Sequence, residues 1–366
     1  MEETSVRMQA NTENTGRIAW CDIAKCICIF FVIFSHQATS PAFLRHFFVP
    51  FFLALFFFLS GYVYKNKTGF FKLMRQKALT LLVPVLFTGL IDFVIERIVP
   101  GWSHDPLTKE IAMLFLQIRE QGDKLWFVVC LFVAFIPFYF ILKLRDKRAQ
   151  IAVSTVLGIC GIAWGIYVPG HWFPWGTNAL PWHIPTALVA CHFMVVANVI
   201  RNSGDFLQKN RPLKQRAIMT LSSLAIYVTL LILNARLINR SPIGINYWGR
   251  SILWYLLVSW VSVFTMIFVS QWFRPGKLLL YIGRHTLIYF MLQSKCYTLI
   301  ELILEKTGLM QPILSHIVLQ TVVAFAETAV ICLILLLPAF LIERYFPFVI
   351  GKWYPKRQKP HEDSHG

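Results

Sequence analysis

The stretch Ile18-Ala19-Trp20-Cys21-Asp22-Ile23-Ala24-Lys25-Cys26-Ile27-Cys28-Ile29-Phe30-Phe31-Val32-Ile33-Phe34-Ser35-His36 decides the architecture. It is about as long as the run of some 20 mostly apolar residues that an α-helix needs to cross a bilayer. Comparable apolar runs recur near 47–64, 78–98, 125–142, 151–168, 183–200, 217–234, 251–271, 278–297 and 313–342. The sequence therefore predicts an all-α, polytopic membrane helix bundle of about ten transmembrane helices. Composition agrees: 57% of the residues are hydrophobic and 14% charged, too few polar groups to cover a water-soluble fold of this length. Mean hydropathy is +0.58, and a bundle can leave such residues facing lipid.

The net charge of +17 raises nucleic-acid binding, but the placement of the cations argues against it. They cluster in short connections, at Lys65, Lys67, Lys72, Arg75 and Lys77, at Lys143, Arg145, Lys147 and Arg148, and at Lys209, Arg211, Lys214 and Arg216. With an inward N-terminus, cations on the inner segments outnumber those on the outer ones by more than two to one. Both termini are thus expected to be cytoplasmic. The predicted organisation is a polar N-terminal tail over 1–16, a transmembrane domain over 17–345 and a basic, polar tail over 346–366. The segment 169–182, rich in Trp and Pro and without Lys or Arg, reads as an aromatic interfacial loop. The eight cysteines lie in or beside apolar runs and read as small core residues. Cys26 and Cys28 point about 200° apart on a helix, so they cannot share a metal, and no metal is called for.

Three ionisable groups in the first span require a reason, since each costs a few kcal/mol there. Asp22 and Lys25 are spaced to pair on one helix face. Lys25 and His36 return to within roughly 20° of one another about 16 Å apart along the axis. One face thus carries a cation and an imidazole, suited to an extended ligand with an anionic end and a reactive end, such as coenzyme A. His36 would serve as general base toward an acceptor hydroxyl. The alternative is an interfacial Asp22–Lys25 pair and a helix-end histidine at the headgroups. In the second span, Ser60-Gly61 allows close approach by a helix or a ligand.

Trp20-x-Asp22-Ile23-Ala24-Lys25, ten residues and then His36, followed by Phe56-Phe57-Phe58-Leu59-Ser60-Gly61-Tyr62, resembles the acyltransferase-3 family of membrane acyltransferases, and within it the fucose 4-O-acetylase-like branch. Leu125-Trp126-Phe127, Trp182 to Asn198 and Ile282-Gly283-Arg284-His285-Thr286-Leu287 are weaker echoes, so the likeness covers about 17–345. The resemblance implies an O-acyltransferase of the bacterial inner membrane that moves an acyl group, usually acetyl from acetyl-CoA, to a sugar hydroxyl of an envelope glycan or lipid-linked sugar. It implies catalytic roles for His36 and Lys25, with Asp22 orienting Lys25. Lys25, Arg75, Lys77 and Arg284 are the candidates to hold the cofactor, and Ser60, Tyr62, Trp126 and Asp92 those to meet the acceptor. The chain departs from the family pattern at Lys25 and Thr80, where many members carry Arg, and at Gln293, where many carry His. Lys25 keeps the charge but lacks the planar fork that grips phosphate, and Gln293 cannot act as a base. Two other readings stay open: a glycan or lipid transporter or flippase, and a subunit that relays acyl groups to a separate transferase.

Overall fold

The computed structural model describes residues 18–65, 68–98, 106–119, 125–208, 211–238 and 248–352. The tail 1–16, positions 353–366, and Lys67, Lys124, Lys209 and Arg240 lie outside them. Among the described residues every regular element is helical.

The bundle opens with α1 (Ala19–His36), α2 (Ala42–Tyr62) and α3 (Phe70–Lys77); α3 runs through a π turn (Ala78–Leu82) into α4 (Val83–Ile98). A short α5 (Leu107–Leu116) precedes α6 (Trp126–Ile141), α7 (Lys147–Tyr167), α8 (Ile184–Asn202) and α9 (Leu213–Leu233). Then come α10 (Ile252–Ser270), α11 (Lys277–Arg284), α12 (Thr286–Lys306), α13 (Met310–Ser315), α14 (Ile317–Ile334) and α15 (Leu336–Tyr345). Nine helices among the described residues are long and apolar enough to span a bilayer, and α6 is a tenth, shorter apolar helix.

The chain is a multi-pass membrane protein. Large apolar side chains face outward along α9 and α15, with Leu221 66% and Leu337 63% exposed, as lipid contact allows and water does not. In contrast α1 is central. It packs on α2, α10, α11, α12 and α14, and ten of its residues, Asp22 among them, are buried.

Two glycines set the closest helix contacts. A Cβ on Gly61 would lie 2.1 Å from the Met194 carbonyl oxygen, and one on Gly283 would lie 1.9 Å from that of Asp22. Gly61 therefore seats α2 on α8, while Gly283 seats α11 on the start of α1.

Two boundaries differ from the hydropathy reading. The third span begins at Phe70, so Lys72, Arg75 and Lys77 occupy its opening turns. The ninth span begins at Thr286, because the chain leaves helical geometry at His285 (φ −108°, ψ 16°) and the apolar residues before it form the separate α11. The break is held by the His285 side chain, which bonds the Tyr281 carbonyl through Nδ1 at 2.8 Å and Glu343 through Nε2 at 2.6 Å. Lys352 completes this link with a 3.0 Å contact to Glu343.

Candidate active site

α1 presents its polar residues to two cavities, one toward each end. Asp22 sits between two cations: Lys25 Nζ approaches one carboxylate oxygen and Arg284 Nε the other, each at 3.4 Å. The tight seat of Gly283 on the Asp22 backbone brings Arg284 there from the far end of the sequence. One carboxylate between two cations leaves a net positive charge. Lys25 and Arg284 line a cavity of about 170 Å3 whose other walls include Ser60, Leu81, Phe127 and Phe290. A charged rim over an apolar interior suits a ligand with an anionic head and a slender, less polar arm.

His36 lines a second cavity, of about 520 Å3, at the other end of the same helix. Its Nδ1 lies 2.7 Å from the Val32 carbonyl oxygen. A carbonyl only accepts, so Nδ1 carries a proton, and in the neutral ring Nε2 is left with the lone pair that a general base requires. The ring lies nearly parallel to Tyr297, at 6.3 Å between centroids. Asp92 and Lys295, also on this wall, form a close ion pair. Arg119 and Trp126 complete the polar side, with the guanidinium 4.9 Å from the Trp126 ring centre. Thr88 and Gln293 are buried wall residues, and among the described residues Thr88 Oγ1 and Gln293 Oε1 have no hydrogen-bond partner. Such atoms cost about 1–3 kcal/mol each when left unsatisfied, so the cavity favours a hydroxyl-bearing guest. Phe290 lines both cavities, and its ring is the element they share.

The turn after His36 is held from afar. Gln37 bonds Thr328 Oγ1 at 3.0 Å, the Ala38 amide donates to Glu301 at 2.7 Å and the Thr39 hydroxyl donates to Glu327 at 2.7 Å. Three consecutive residues are thereby tied to α12 and α14, which fixes where α1 ends and where its imidazole stands.

The remaining sequence candidates divide by position. Ser60 lines the Lys25 cavity while its hydroxyl donates to the Phe56 carbonyl. Tyr62 is buried away from both cavities and donates to Asp205 at 2.6 Å. Lys77 lies over the Phe135 ring at 3.9 Å and Arg75 is exposed; neither lines the two cavities. Sequence reasoning passed over Arg119 and Lys295 as active-site residues. Their one available signal was a cation close to a span boundary.

A buried helix thus carries an imidazole at one cavity and a cation at another, inside a lipid-facing bundle. Residues 18–343 match the family described as an acyltransferase domain, Acyl_transf_3, and the chain belongs to that family: it is a membrane acyltransferase. No curated protein and no solved structure matches it.

Proposed function

We propose that the protein is an O-acyltransferase of the bacterial inner membrane that moves acetyl from acetyl-CoA to a sugar hydroxyl of an envelope glycan. One observation carries this reading: α1 joins a cation-rimmed cavity at Lys25 to a hydroxyl-seeking cavity at His36, with Phe290 on the wall of both. The basic clusters on the Lys25 side favour placing that end in the cytoplasm, where acyl-CoA is made.

The phosphates of the donor meet Lys25 and Arg284, while Asp22 keeps the two cations apart and oriented. The slender arm runs along the apolar walls toward Phe290. At the far end His36 Nε2 takes the proton of the acceptor hydroxyl as its oxygen attacks the thioester carbonyl. The tetrahedral intermediate collapses by breaking the carbon–sulfur bond; the ester leaves on the sugar, and the departing thiolate accepts the proton from His36. Arg119 and Lys295 line this cavity and are the cations that would face the developing oxyanion. Asp92, Trp126 and Ser60, which line the two cavities, would shape the two binding sites.

The deciding assay is transfer of labelled acetyl from acetyl-CoA by purified protein to glycan from a strain lacking the gene. Transfer to the glycan supports the reading. Movement of glycan or lipid across proteoliposomes without loss of acetyl-CoA refutes it and favours a transporter, and activity that requires a second protein favours an acyl-relay subunit.

A further inference from the structure

The aromatic segment after α7 is fastened to the end of that helix by hydrogen bonds. Trp164 Nε1 donates to the Asn178 carbonyl at 2.7 Å and Trp175 Nε1 to that of Ala179 at 2.8 Å. The Asn178 amide in turn donates to the Val168 and Gly165 carbonyls at 2.9 and 3.2 Å. The loop is folded back over the end of α7, where it closes a third recess of about 110 Å3 lined by Trp164, Thr177, His183, Trp248 and Arg119.

Three features make this recess part of the acceptor side. Arg119 lines both it and the His36 cavity, and the rings of Trp126 and His183, one on each wall, are 5.7 Å apart. The backbone between them is strained: Leu125, Trp182 and His183 hold φ of 49°, 60° and 56°, a region in which bulky residues cost of order 1–3 kcal/mol each. Gly165 has no Cβ, and one placed there would lie 2.2 Å from the Trp248 ring, so that indole is admitted only because glycine stands opposite. Strain and close approach together hold two indoles and several polar groups around one small space.

The chemistry of the wall identifies its guest. Indoles offer flat apolar surface to the C–H face of a sugar ring, and amide, imidazole and hydroxyl groups answer the ring's own hydroxyls. Thr177 Oγ1 is buried and, among the described residues, has no hydrogen-bond partner. At about 110 Å3 the recess is smaller than the cavity of about 150 Å3 that encloses a benzene ring, so it takes part of one sugar ring and leaves the rest outside.

We propose that this recess is a second sugar subsite, so that the acceptor is read as at least a disaccharide. The attacked residue sits at His36, and its neighbour sits against Trp164, Trp248 and Thr177. The proposal rests on the acceptor being a glycan, as argued above.

The test measures binding without donor, using the full-length protein in lipid nanodiscs. Mono-, di- and trisaccharides are released from the envelope glycan of a strain lacking the gene, and their affinities are read by calorimetry. The disaccharide is expected to bind about tenfold tighter than the monosaccharide, with little further gain for the trisaccharide. Thr177→Val, nearly isosteric, and Trp248→Leu are each expected to shrink that advantage about threefold or more, with melting curves checking that the variants fold. Equal affinity for one and two sugars overturns the subsite, as does an undiminished advantage in a folded Thr177→Val protein. A length preference in binding with no acetyl transfer removes the proposed acetyl transfer to glycan and leaves the subsite. Transfer with no length preference does the reverse.

Discussion

Replacing His36 by alanine separates chemistry from folding more sharply than any other change here. The imidazole ends α1, stands at a cavity and is exposed, and its hydrogen bond to the Val32 carbonyl is worth about 0.5–1.5 kcal/mol net. Its removal should therefore lower stability by no more than about 1.5 kcal/mol. A positioned general base contributes about 10²–10⁴ in rate, which at about 1.36 kcal/mol per decade is roughly 3–5 kcal/mol of barrier. The variant should insert and melt almost as the wild type does, yet transfer acetyl at least a hundredfold more slowly. The assay pairs a fluorescence melting curve with the labelled-acetyl reaction, and His36→Gln serves as a second variant that keeps a polar group. Because the adjoining cavity is about 520 Å3, added imidazole should restore part of the rate to His36→Ala. If both variants retain more than a tenth of the wild-type rate, His36 is not the base and the mechanism fails.

Lys25→Met should raise the KM for acetyl-CoA about tenfold and leave that for the acceptor within twofold, whereas Lys25→Arg should restore most of the loss; steady-state kinetics at low and high salt would show the difference shrinking as charge is screened. Gly283→Ala and Gly61→Ala force a methyl to within 1.9 and 2.1 Å of a carbonyl oxygen and should each destabilise by about 1–3 kcal/mol. Gly69→Ala, whose methyl would meet nothing within 4 Å, should change stability by less than about 1 kcal/mol, and thermal melts in one detergent compare all three. Thr39→Val breaks the tie between the turn after His36 and Glu327; it should lower kcat severalfold while the KM for acetyl-CoA stays unchanged, as read from initial rates over a range of donor concentrations.

Hydropathy made the bundle legible because length and apolarity alone define a spanning helix. Helical spacing likewise aligned Lys25 with His36, since both lie on one continuous element. What crosses between elements was hidden. Arg284 meets Asp22 from 262 positions away, and Lys295 pairs with Asp92 from another remote helix, so no local pattern joins them. The break at His285 was masked because the apolar residues on either side of it read as one run. Tyr62 shows a different limit. It shares a motif with Ser60, but two residues along a helix turn a side chain by about 200°, so the pair cannot face one cavity, and Tyr62 points to Asp205 instead.

The π turn at Ala78–Leu82 sets the angular phase of everything after it on that span. A π turn amounts to one inserted residue, and one residue is about 100° of rotation. Leu81 lies within it and lines the Lys25 cavity, while Thr88 and Asp92 lie beyond it and line the His36 cavity. Deleting a single residue from this turn would leave a helix of unchanged character that still crosses the membrane, with Thr88 and Asp92 swung off their wall. The span therefore works as a keyed shaft, and its key is one residue long.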